Sequence, residues 1–313
     1  MRAVRPLQHR PDPGLAVLVK RITFIVNPVS GGKDKRKVLA AIDRFIDRSR
    51  FAYEVLTTGK PGDATAWARE SGADIVVAVG GDGTVSEVAL GLVGTEKALG
   101  IIPCGSGDGL ALHLGISRNP VKAVRVLNEA CITRIDTARL DGRPFFCTAG
   151  VGLDADVAYE FARSSKRGLG TYISTAWNLW MHGDRARRYR VETDTATWDG
   201  PAVIITVGNA NQWGNEARIV PKASLRDGLL DVTVVGPFAT WEIPALAARL
   251  MTGKADSSRH VRSFRSTHIH IRRDRSGPAH LDGDPFEAGV DLDLEIVPGT
   301  LDVVVPPSRL EKV

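Results

Sequence analysis

Cysteine is scarce in this chain of 313 residues, with only Cys104, Cys131 and Cys147, widely spaced. An odd number so placed builds neither a disulfide framework nor a zinc signature, and it fits a reducing cytosol. Long hydrophobic runs are missing too. The longest early one, residues 15–19, stops at Lys20, too short for a signal core or a membrane span. Any membrane contact is therefore expected to be peripheral. His113, His268, His270 and His280 show no metal-ligand spacing, and no internal repeat or low-complexity tract is visible. Charge of one sign is also thin. A net +5 favours an anionic partner such as nucleotide, nucleic acid or lipid headgroups without choosing among them, and nothing else points to nucleic acid.

What is present is an ordinary globular balance, 43% hydrophobic and 25% charged, long enough for two domains. Residues 1–19 read as a loose arm with several Arg and Pro. The first half alternates short apolar strands, near 21–26, 51–55, 74–79 and 99–102, with helix-period segments. Val85, Val88, Ala89, Leu92 and Val93 form one such stripe, and Asp63 is placed to cap a helix carrying Ala64, Trp67 and Ala68. Repeated units of this kind imply a doubly wound, Rossmann-like parallel sheet, with its ligand crevice at the C-terminal strand ends. After about 138 the pattern changes to strand-like runs at 145–148, 189–192, 203–208, 229–235, 267–271, 292–297 and 301–305. These predict an antiparallel β-sandwich interrupted by helices near 154–163, 171–182 and 240–252. The shift in composition, without a linker, places a cleft between the two domains.

Three loops fall at strand ends in the first half. Gly80-Gly81-Asp82-Gly83-Thr84 follows a buried strand and opens a helix, so its amides and the helix N-terminus can close on phosphate oxygens. Asp82 would repel bare phosphate and makes sense beside a divalent cation, which suggests a nucleoside triphosphate with Mg²⁺. Cys104-Gly105-Ser106-Gly107-Asp108-Gly109 lets the backbone approach a ligand, with the Ser106 hydroxyl as a donor. Asn27-Pro28-Val29-Ser30-Gly31-Gly32-Lys33 ends the first strand, and its amides with Ser30 and Lys33 suit a phosphate. No Walker-type loop and no G-x-G-x-x-G helix opening is present.

Asn-Pro-x-Ser-Gly at 27–31, Gly-Gly-Asp-Gly-Thr at 80–84 and Pro-x-Gly-Ser-Gly-x-x-Leu-Ala at 103–111 resemble, in this order, the diacylglycerol kinase catalytic domain. That domain is shared by bacterial lipid kinases, sphingosine kinases and ceramide kinases. Further blocks match in order at 135–136, 149–155, 208–209, 219–223, 227–231 and 281–285, so the resemblance covers about 20–306. It implies a nucleotide-binding domain over 20–137, a β-rich lipid-binding domain over 138–299, and a last strand within 300–313 returning to the first domain. The implied reaction moves the γ-phosphoryl of ATP to a lipid hydroxyl. Asn27, Ser30, Thr58, Gly80, Gly81, Asp82, Gly83, Thr84, Val85, Ser86, Gly105 and Ser106 would contact ATP, and Asp82 would hold the catalytic Mg²⁺ through water. Asp284 falls where the family has its proposed general base. A second, structural Mg²⁺ would sit on Asp227 with carbonyls near Ser224 and Leu229.

Two departures stand out. Asp284 replaces the usual Glu, and Asp108-Gly109 replace an Asn-Asp pair common in bacterial members, which leaves the acceptor open among diacylglycerol, sphingosine and related lipids. Read alone, Asp282-Gly283-Asp284-Pro285 is a hairpin turn. The competing functions are an NAD kinase, which shares the 80–84 loop, and a catalytically weak lipid- or nucleotide-binding regulator. A cytoplasmic protein held peripherally at a membrane is expected. Lys166, Arg167, Trp177, Trp180, Arg185, Arg187, Arg188 and Arg190 form either a membrane face or a core tryptophan pair beside a solvated turn. A homodimer stays open.

Overall fold

The computed structural model describes residues 19–32, 34–164, 169–183, 186–311 and 313. Most of the expected arm (1–18) lies outside the described residues, as do Lys33, Lys166, Arg167 and Arg185.

The first half runs β1 (Lys20–Val26), α1 (Lys35–Phe45), β2 (Phe51–Thr57), α2 (Asp63–Glu70), β3 (Ile75–Gly80), α3 (Asp82–Leu92), β4 (Ala98–Pro103), α4 (Gly109–His113) and α5 (Pro120–Glu129). β3 and β4 are buried at every position, as central parallel strands covered on both faces must be. The order β2-β1-β3-β4 is parallel throughout, and helix pairs α1 with α5 and α2 with α3 cover it. Val85, Val88, Ala89 and Leu92 of α3 are buried, as their spacing predicts. Asp63 does something other than cap its helix. Gly62 is the N-cap, and the Asp63 carboxylate accepts the amides of Gly59 and Lys60 in the preceding turn.

The second half comprises β5 (Ile132–Leu140), β6 (Arg143–Phe145), β7 (Thr148–Gly152), α6 (Leu153–Arg163), α7 (Leu169–His182), β8 (Arg187–Thr193), β9 (Thr197–Ala202), β10 (Ile204–Gly208), β11 (Leu230–Val235), α8 (Ile243–Met251), β12 (Val261–Ser266), β13 (His268–Arg273), β14 (Gly277–Leu281), β15 (Asp284–Ala288) and β16 (Asp291–Val304). One antiparallel sheet has the order β12-β11-β10-β7-β14-β15. Its inner face packs on β5, β8, β13 and β16 through Val151, Tyr189, Val191, Ile205, Val232, Ile269, Leu292 and Leu294, forming the sandwich core.

The two halves share a sheet. Runs at 292–297 and 301–305 read as two strands, yet they form the single strand β16, bent where its register shifts between Val297 and Leu301. Its first part pairs with β13, and Asp302 and Val303 pair in parallel with Ala98 and Leu99 of β4. A strand at 145–148 does not form. Residues 146–148 give their amides to the Asp282 carboxylate, so the ladder stops at Phe145 and restarts at Thr148.

Candidate active site

Asn27, the 80–84 turn and the 105–109 loop meet at one sheet edge. Asn27 takes the Val79 carbonyl with its amide and donates from Nδ2 to Thr84 Oγ1 at 3.2 Å. The Ser30 hydroxyl donates to the Asn27 carbonyl, and Thr58 donates its amide to the Val26 carbonyl next door. The two glycine loops touch backbone to backbone: a Cβ on Gly81 would lie 3.1 Å from Gly105 Cα. Side chains here would push the loops apart, which is the physical reason for glycine at both places. Gly81 is the N-cap of α3 and no side chain caps it. An uncapped N-terminus flanked by Cβ-free backbone is suited to phosphate oxygens. Val85 faces the core and Ser106 faces solvent, so Val85 reaches the site only through its backbone.

Asp82 points from the first turn of α3 into the second loop. Its Oδ1 accepts from Gly109 N at 2.7 Å and its Oδ2 from Asp108 N at 2.9 Å. Burial, followed by the charge of Asp108, pushes its pKa up to about 6 against the two amide bonds. Asp108, at φ 52°, accepts from Gly105 N and is paired with Arg118 at 2.9 Å. The same guanidinium donates to the carbonyls of Ser106 and Gly107 and to Asn215 Oδ1, while Asn215 N bonds Gly107 O. Arg118 thus ties the glycine loop to the second domain. Neither Arg118 nor Asn215 carries a motif signal; only tertiary proximity reveals them.

The second domain delivers the β14–β15 turn. Asp282 and Gly283 have φ 51° and 89°, the two left-handed positions of a tight hairpin. Asp282 is the more densely bonded acid of the block. Its carboxylate accepts the amides of Phe146, Cys147 and Thr148 and the Ser86 hydroxyl, the last at 2.9 Å, and burial pushes its pKa up. Ser86 is therefore spent on locking α3 to the turn. Asp284 projects to the surface of the cleft, its Oδ2 3.6 Å from where a Cβ on Gly83 would stand. Crowding by the protein, then the charges of Asp282 and Glu87, raise its pKa, opposed by His280. Asp284 and the 80–84 turn thus face each other across the cleft.

Mg²⁺ fits at Asp82 only in an indirect way. Both of its oxygens already hold amides, and the described residues contain no group of three His, Cys, Asp or Glu placed to ligate a metal ion. A cation that keeps its waters and takes phosphate oxygens suits one such carboxylate. Ser224, Asp227 and Leu229 form a separate constellation. There Asp227 Oδ1 accepts from Leu229 N, Oδ2 engages the Arg265 guanidinium, and Ser224 Oγ donates to the Val313 carbonyl. Arg265 also reaches Asp231 at 3.3 Å. This donor set does not fit a second metal as it stands, because a guanidinium already meets the Asp227 charge.

A glycine-rich edge of the first domain, suited to phosphate oxygens, thus faces a carboxylate from the β-sandwich, an arrangement that fits a two-domain phosphotransferase. The diacylglycerol kinase catalytic domain matches residues 21–140, and the YegS C-terminal NAD kinase beta sandwich-like domain matches 148–305. The chain belongs to the diacylglycerol kinase family of YegS-like lipid kinases. It is 30% identical over 310 residues to a probable YegS-like lipid kinase of Stenotrophomonas maltophilia, covering 91% of this chain and 96% of that one. It is 26% identical over 273 residues to the diacylglycerol kinase of Bacillus subtilis, covering 85% and 90%. The crystal structure of a putative diacylglycerol kinase from Bacillus anthracis superposes with a TM-score of 0.74 at 25% identity, covering 92% of this chain and 98% of that one.

Proposed function

We propose that this protein transfers the γ-phosphoryl group of ATP to the hydroxyl of a lipid, with diacylglycerol the first acceptor to test. The observation that carries the reading is Asp284 standing over the first turn of α3, where an acceptor hydroxyl would meet a phosphate. The first-turn amides of α3, with Asn27 and Thr84, would hold the phosphates, and Asp82 would hold Mg²⁺ through water. Bound Mg²⁺ neutralises charge on the phosphates. Asp284 orients the lipid hydroxyl and takes its proton as the new O–P bond forms; the bond to the β-phosphate oxygen breaks and ADP leaves. The raised pKa of Asp284 suits this role, since a base nearer the working pH accepts a proton more readily.

Incubation with γ-labelled ATP and a panel of diacylglycerol, sphingosine, ceramide and NAD⁺ tests the reading. Label is expected in a lipid and absent from NAD⁺. Transfer to no lipid would favour the regulator, and label in NAD⁺ the NAD kinase. The shared sandwich already explains why the latter resembles this chain.

Access to a bilayer substrate calls for a docking face, and no described helix is long and apolar enough to cross a membrane. We place that face on α7. Ile173, Trp177 and Met181 recur every fourth residue and are 58%, 52% and 44% exposed, and Trp241, next in sequence to the Thr240 that accepts from Trp180 of α7, is 75% exposed. Trp180, by contrast, is buried and stacked on Phe238, while Arg187, Arg188 and Arg190 are paired with Asp156, Asp199 and Glu192. Apolar insertion should therefore outweigh charge attraction. Trp177→Ala with Trp241→Ala is expected to weaken vesicle partitioning by about tenfold, the effect of ~1.4 kcal/mol of lost burial. Sedimentation with vesicles checks this, and unchanged partitioning of the double variant removes α7 as the docking face.

A further inference from the structure

The guanidinium of Arg118, in the bend between α4 and α5, is bonded to both domains at once. Its Nε donates to Asp108 Oδ2 at 2.9 Å, and its Nη2 reaches the carbonyls of Ser106 at 3.1 Å and Gly107 at 2.7 Å. The same Nη2 reaches Asn215 Oδ1 at 2.9 Å, in the second-domain loop that follows β10. That loop packs backbone to backbone on the glycine loop. A Cβ on Gly214, whose φ is 117°, would stand 2.7 Å from the Cα, carbonyl carbon and carbonyl oxygen of Gly107, and Asn215 N donates to Gly107 O at 3.0 Å. β10 belongs to the sheet that carries Asp284. Only β7 and β14 separate it from β15, roughly 14 Å across the ladder.

What the guanidinium holds is the shape of the loop. At φ 52°, an uncommon backbone region for a residue with a side chain, Asp108 aims its own amide and that of Gly109 at the two oxygens of Asp82. Two contacts on the Asp108 carboxylate keep it there: Gly105 N on Oδ1 at 2.8 Å and Arg118 on Oδ2. The Asp108 side chain is 1% exposed, so loss of the guanidinium would strand a buried carboxylate next to Asp82. It would also release the Ser106 and Gly107 carbonyls and the tether to Asn215. A lysine could supply the charge. A planar fork is what meets a carboxylate, two carbonyls and an amide oxygen together.

We propose that Arg118 is a positioning residue for phosphoryl transfer: it holds the 105–109 loop in the shape that aims Asp82 at the nucleotide's Mg²⁺, and in register with the sheet that carries Asp284. This role deepens the phosphoryl-transfer reading and rests on it, so binding is measured beside turnover. Isothermal titration of the full chain with a non-hydrolysable ATP analogue, in Mg²⁺ and again in EDTA, is set against kcat on diacylglycerol and a thermal melt. Arg118→Gln is expected to weaken binding in Mg²⁺ at least about tenfold, to change binding in EDTA less than about threefold, and to lower kcat at least about thirtyfold. The double variant Asp108→Asn with Arg118→Gln removes the stranded charge. Its melting temperature should return close to wild type while binding in Mg²⁺ stays at least about tenfold down. A merely structural arginine would not give that split. Equal affinity of the wild type in Mg²⁺ and EDTA, or wild-type affinity in Mg²⁺ for Arg118→Gln, overturns the role. Recovery of that affinity in the double variant overturns it too, leaving Arg118 only to neutralise Asp108. A wild-type chain that transfers no label to any lipid sinks the kinase reading instead, and the two titrations still decide for or against Arg118.

Discussion

Asp284→Ala should lower kcat for lipid phosphorylation by at least about a hundredfold while changing ATP affinity less than about twofold, because general-base assistance is worth about 10²–10⁴ and the proposed nucleotide site is on the other domain. The variant should also fold. Asp284 is exposed at the start of β15 and accepts no hydrogen bond that holds the hairpin, a task that falls to Asp282. A melting temperature close to wild type therefore separates lost chemistry from lost structure. If kcat on the best acceptor is the same in wild type and Asp284→Ala, the residue has no part in the transfer and the regulator reading gains.

Asp284→Glu asks a finer question. A Glu would extend the carboxylate by about 1.5 Å, and a misplacement of ~1 Å can cost about a hundredfold. In this chain the carboxylate already stands over Gly83, so the hairpin brings the shorter side chain to the helix start. Retained activity in the Glu variant would mean a tolerant cleft, and a large rise would mean that the wild-type acid falls short of its substrate.

The parallel half of the fold was legible because β3 and β4 are unbroken apolar runs and α3 keeps a helical stripe, each a local signal. The sandwich was less so. β12 reads Val-Arg-Ser-Phe-Arg-Ser, and β14 and β15 carry Pro278 and Pro285, so neither hydrophobic alternation nor propensity marks them. They are strands because neighbours supply a ladder: β11 pairs with the edge strand β12, and β14 lies between β7 and the edge strand β15. β16 looked like two strands because Pro298-Gly299 interrupts its pattern, whereas in the fold that interruption is a bend within one strand. The glycine loops were visible as motifs, yet what joins the halves was not. Ser86 to Asp282 spans 196 residues and Arg118 to Asn215 spans 97, contacts no window of sequence contains.

Asp82→Asn is expected to reduce kcat/KM by at least about a hundredfold, equivalent to ~2.7 kcal/mol of transition-state stabilisation. The reasoning starts from the free protein. With its pKa raised from 3.8 to about 6, the ionised carboxylate costs on the order of 3 kcal/mol at neutral pH. The sign follows from the raised value: the stability gained from the neutral acid is present below the unfolded pKa of 3.8 and is lost as pH rises through about 6. A cation held against the phosphates relieves that strain, so Mg²⁺–nucleotide binding below pH 6 should take up the carboxylate form and release a proton. Activity should consequently fall from pH 7 to pH 5 with a midpoint near or below 6, and in the residual activity of Asp82→Asn only the part of that limb imposed by protonation of Asp284 should remain. Stability should change little, since Asn keeps one of the two amide bonds and loses the other while removing a buried charge. Pre-steady-state transfer, a pH profile and a thermal melt on the same variant decide the matter. Near-normal turnover with an unaltered acid limb would show that Asp82 only joins the two glycine loops, and the cation would then need another anchor.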